Sequence, residues 1–66
     1  MKANRKAVEL AMARACMNKK DIAQKAEMPE MTVKNVLDGR GVNPRTLGKV
    51  ARALGVDPLE IMEQEE

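Results

Sequence analysis

An all-α fold of five helices is the class these 66 residues predict, and three observations carry it. Apolar residues recur three and four positions apart, the spacing of a helix face. Three segments open on a capping residue: Asn18, Asn43-Pro44 and Asp57-Pro58, the residue types that satisfy the free N–H groups of a first turn. No stretch alternates apolar and polar residues as a half-buried strand does. The length suits one domain, residues 1–66, near the lower limit for a self-standing core.

The first helix runs from about Asn4 to Cys16, with Val8, Ala11, Met12 and Ala15 on one face and Lys6, Glu9 and Arg14 outside. Asn18 caps the second, which reaches about Ala26, and Asp21 bonds back toward the cap as a capping-box acid. Pro29 takes the first position of the third helix, where its missing N–H is not needed. Glu30 follows in the first turn, where the helix dipole favours an acid. This helix ends near Leu37, before the turn Asp38-Gly39. After a short loop, Asn43-Pro44 opens the fourth helix, through Leu47, Val50, Ala51 and Leu54, and Gly55 closes it. Asp57-Pro58-Leu59-Glu60 starts the last helix, which carries Leu59, Ile61 and Met62 and frays into Gln64-Glu65-Glu66.

Composition excludes most chemistry. There is no aromatic residue, so the core must come from Leu, Ile, Val, Ala and six Met. No apolar run is long enough to span a membrane. Glu9 and Arg14 interrupt the stretch after the basic start, unlike a signal peptide, so a soluble cytoplasmic protein is expected. Cys16 is the one cysteine and histidine is absent. An internal disulfide, a thiolate zinc site, a Cys-His nucleophile and a Ser-His-Asp triad are therefore all excluded. Cys16 reads as a small buried apolar residue closing the first helix. No glycine-rich phosphate loop is present. No catalysis, cofactor or metal is expected.

The formal charge of +2 conceals a division along the chain. Residues 1–54 hold all 12 Lys and Arg against five acids, a net +7, whereas residues 55–66 hold five acids and no base, a net −5. A basic body suits a polyanion such as DNA, and the acidic tail, about residues 57–66, favours solubility.

The segments "NKKDIAQKAEMPEMTVKNVLDG" and "NPRTLGKVARALGV" resemble the helix-turn-helix domain of the phage repressor and Cro family, over about Arg5 to Met62. The second is the more specific, with a proline-capped helix and an Ala-Leu-Gly-Val ending after the reading helix. The resemblance implies a compact repressor-like domain with the helix-turn-helix at helices two and three. Two departures stand out. Glu27 occupies the turn position where the family usually has glycine, and a left-handed residue with a side chain costs on the order of 1 kcal/mol there, so a reshaped turn is expected. Met12 and Leu37 replace an Arg–Glu pair that members often carry, an exchange that can be neutral or stabilising.

The same resemblance implies that the third helix lies in the major groove, with Glu30, Met31 and Asn35 as candidate base readers. Asn35 can bond adenine, Glu30 can accept from cytosine, and Met31 can lie against a thymine methyl. Against these stand a solvated Asn35, a Glu30 that only stabilises the helix start, and a Met31 packed under the first helix. Lys19, Lys20, Thr32, Lys34, Arg40 and Arg45 are candidate backbone contacts, with Lys19 and Lys20 at a helix start and Arg45 suited to a narrow minor groove. The partner is then double-stranded DNA, a palindromic operator bound by a weak homodimer. Leu59 and Met62, three apart in the last helix, are candidates for the dimer contact or caps of the core. A bacterial repressor of phage or mobile-element type is the expected function. The rival is a protein-interaction module, antitoxin-like, whose acidic tail or apolar face binds a protein partner; Glu27 and Glu30 favour it by weakening phosphate attraction.

Overall fold

A computed structural model describes residues 1–63, so the end of the expected acidic tail, residues 64–66, lies outside the described residues. Five helices follow in order: α1 (Arg5–Ala15), α2 (Lys19–Ala26), α3 (Glu30–Leu37), α4 (Pro44–Leu54) and α5 (Pro58–Ile61). Their ends form where local hydrogen bonding dictates. The Asn18 side chain accepts from the Asp21 N–H at 2.8 Å, and Asp21 Oδ2 accepts from the Asn18 N–H at 3.0 Å, closing a capping box. Asn4 and Asn43 cap α1 and α4 through the N–H groups of Ala7 and Thr46. Asp57 and Glu60 form a second capping box on α5, and Gly55 ends α4 in the left-handed conformation.

α2 packs on both α3 and α4, and α1 packs on α5, so the helices enclose one apolar centre. Ile22, Leu47, Ile61, Val8, Val33, Val36 and Val50 are its largest fully buried side chains, and among the described residues no polar residue is buried with them. Burial of each such side chain contributes roughly 1.5–3 kcal/mol. The methionines are not the centre that composition suggests. Met12, Met17, Met28 and Met62 are half-buried against its edge, and Met1 and Met31 are exposed. Flexible thioethers here seal the periphery while branched residues fill the middle.

Four local expectations need correction. Pro29 is the cap of α3, not its first residue: its ψ of 146° is extended, and its carbonyl accepts from the N–H groups of Thr32 and Val33. Cys16 does end α1, but it is exposed. It sits at the left-handed cap of α1 (φ 55°). The turn at Glu27 keeps the left-handed geometry usual for glycine, with φ 56° and ψ 50°. Finally, α5 stops at Ile61, and Met62 is extended.

Met62 is extended because the start of the chain lies beside it. Ala3, buried, bridges Met62 in antiparallel sense. The Asn4 N–H donates to the Ile61 carbonyl at 2.7 Å, and the Glu63 N–H donates to the Lys2 carbonyl at 2.8 Å. On the other side, the Val42 N–H donates to the Met1 carbonyl at 2.7 Å. Residues 1–4 thus tie the loop after α3 to the segment after α5.

Candidate nucleic-acid interface

The amphipathic pattern of α3 decides which side chains face outward. Val33 and Val36 are buried; at about 100° per residue, the opposite face is centred on Met31, with Lys34 and Asn35 flanking it. Met31 is 67% exposed, which removes the alternative of packing beneath α1. Glu30 is exposed at the first position of the helix, and Thr32 and Asn35 are half-buried. Among the described residues the Asn35 side-chain amide has no hydrogen-bond partner. A short amide held on a rigid helix with its donor and acceptor free has what bidentate bonding to adenine needs.

One face of α2, the turn after it and the start of α3 line an open groove, with Lys20, Gln24, Glu27, Met28, Pro29 and Glu30 on its walls. Lys20 and Glu30 therefore line one groove, as the helix-turn-helix arrangement implies, with Glu27 on it too. Lys19, at the first position of α2, is half-buried. The capping box occupies the Asp21 N–H and leaves those of Lys19 and Lys20 in the part of a helix that attracts anions.

A second cluster forms at the carboxyl end of α3. Lys34 Nζ donates to Asp38 Oδ2 at 3.1 Å, an exposed i,i+4 ion pair. That hydrogen bond, with the charges of Lys34, Arg40 and Arg5, holds the Asp38 carboxyl below its usual range. Lys34, expected as a free backbone contact, is thus tethered to Asp38. Arg40 is exposed, and its N–H donates to the Asn35 carbonyl at 3.0 Å, fixing the loop to the last turn of α3.

Arg45 lies elsewhere. It is exposed on α4 and lines a separate groove with Gly48, Lys49, Arg52, Val56 and Pro58. Lys49 and Arg52, which the sequence reading left without a role, continue a basic stripe from Arg45 at helical spacing, a signal legible in the sequence. In the sequence Arg5, like Lys2, Lys6 and Arg14, only adds to the basic field, and its spatial neighbours alone distinguish it. Of the two residues considered for a dimer contact, Leu59 is 63% exposed, whereas Met62 is half-buried against the core and outside α5. Among the described residues no helix is long and apolar enough to cross a membrane.

A family model for the Cro/C1-type HTH DNA-binding domain matches residues 9–66. No curated protein and no solved structure matches the chain.

Proposed function

The chain belongs to the Cro/C1-type helix-turn-helix DNA-binding family, and from that premise we propose that it is a sequence-specific transcriptional repressor acting by operator occupancy. DNA binding is the property of the family; the specificity and the sign of regulation are our reading. The observation that carries it is the outward face of α3, where Met31 and Asn35 stand free on a helix anchored by Val33 and Val36. In this reading the 66 residues act as one domain. α3 enters the major groove, with Glu30, Met31 and Asn35 at base edges. Lys19, Lys20, Thr32, Arg40 and Arg45 bear on the sugar-phosphate backbone, and Lys34 joins them when it leaves Asp38.

One copy reads only a few base pairs, so useful selectivity calls for two copies on a palindrome. Leu59, an exposed apolar side chain on α5, supports a small contact between copies that forms on DNA. The protein acts in the cytoplasm of a bacterium, as a regulator of phage or mobile-element type. The rival reading is a module that binds a protein partner. It draws on Glu27 and Glu30, which line the groove with Lys20 and oppose a phosphate there.

Two substitutions test the assignment on sites selected from a random duplex pool. Asn35→Ala flattens the preference among operator variants, and Lys20→Ala weakens all sequences alike. Affinity for random duplex falls steeply with salt for a DNA binder. Little affinity at any salt favours the partner-binding module instead.

A further inference from the structure

We infer that Arg5, presented by the docked N-terminal segment, is a further phosphate-contacting residue that pairs with Arg40 at the carboxyl end of the reading helix. The inference rests on the DNA-binding reading and extends its footprint to a part of the chain with no assigned role.

The placement begins with the backbone. Hydrogen bonds from Val42 and Glu63 to the carbonyls of Met1 and Lys2, and from Asn4 to Ile61, fix where α1 starts. Arg5 is the first residue of α1. Its side chain runs across the turn that ends α3: a Cβ built on Gly39 would lie 3.3 Å from Arg5 Cγ and 3.4 Å from its Cδ. Gly39 has φ 76°, so glycine serves this turn twice, through its left-handed backbone and the room it leaves for the arginine stem.

The charges complete the case. A helix carboxyl end repels phosphate through its dipole, and Asp38 adds a formal negative charge there. Lys34 already answers Asp38 with a hydrogen bond at 3.1 Å. That ion pair is the only one among the described residues, so Arg5 and Arg40 remain uncommitted beside it, both exposed. The groove between α1 and this turn is lined by Ala3, Asn4, Arg5, Lys6, Asp38 and Gly39, with Glu63 at its edge. Counting Lys34 and Arg40, which flank Asp38 in the chain, four cations stand against two carboxylates, an excess of positive charge among the described residues. Arg5 crosses this turn and Arg40 follows Gly39 in the chain; a guanidinium fork matches the bidentate geometry of a phosphate. Such a contact carries no base information; it sets the register of α3 on the duplex.

The test is the salt dependence of binding to a duplex of random sequence, for the wild-type chain, Arg5→Gln and Arg5→Lys. One lost phosphate contact lowers the slope of log affinity against log salt by about 0.9. Arg5→Gln is expected to show that loss with no change in sequence preference, and Arg5→Lys to restore the slope. A second readout uses the unaltered protein: the Arg5 Nε–H resonance shifts when duplex is added. A wild-type slope in Arg5→Gln, or an Arg5 resonance indifferent to duplex, overturns the inference while the parent reading stands. Absence of salt-dependent binding by the wild-type chain removes the parent reading itself.

Discussion

Replacing Glu27 with glycine should stabilise the protein, and the amount can be worked out from its backbone. Glu27 has φ 56° and ψ 50° at the carboxyl end of α2. Left-handed backbone costs a residue with a Cβ roughly 1–2 kcal/mol, and glycine incurs no such strain. Against this, glycine loses about 0.4–1 kcal/mol more in chain entropy on folding. The balance favours glycine by about 0.5–1 kcal/mol, which for a domain this size raises Tm by roughly 2–8 °C. The substitution also removes an acid from a helix end whose dipole disfavours it, so Glu27→Ala is the proper control: it loses the charge and keeps the Cβ. Thermal melts of the three proteins by circular dichroism should place Glu27→Gly above Glu27→Ala by that margin. A glycine variant melting at or below the alanine variant refutes the strain reasoning.

Two further predictions concern charge and association. Asp38 should titrate below the usual aspartate value of 3.8, chiefly because Lys34 hydrogen-bonds its ionised form. Its folded pKa being depressed, the stabilisation is complete above that usual value and is lost as pH falls through the lowered one. Carboxyl NMR checks this, and Lys34→Met should move the midpoint upward; an Asp38 midpoint indifferent to that change contradicts the assignment. Leu59→Glu should leave affinity for a single half-site unchanged and abolish cooperative binding to a duplex with two. Cooperativity that survives the substitution places any contact between copies elsewhere.

What could be read in the sequence was what is local. The cap residues Asn18, Asn43 and Asp57 bond within three positions of themselves, so identity and spacing suffice to find them. Val33 and Val36 at helical spacing mark the buried side of α3 in the same way, whereas the exposure of Met31 was open in the sequence. Pro29 was misplaced by one position because its φ of −63° suits both a cap and a first turn; its extended ψ, which proline does not dictate, decides. Cys16 reads as buried on its polarity alone, yet it is exposed at the left-handed cap of α1. The docking of residues 1–4 was illegible for a different reason. Met1 and Lys2 pair with Val42 and Glu63 through backbone groups, which every residue carries and no sequence pattern marks. Arg5 owes its position to that pairing, so its place beside Gly39 was hidden with it.

The six methionines supply the most direct test of α3 as the reading helix, because each carries a methyl group that NMR can follow separately. Met31 stands on its outward face, and Met12, Met17 and Met62 lie half-buried against the core. On addition of a selected duplex, the Met31 methyl should shift strongly while those three hold their positions. A Met31 signal unmoved by DNA that the protein demonstrably binds would mean that another surface does the reading.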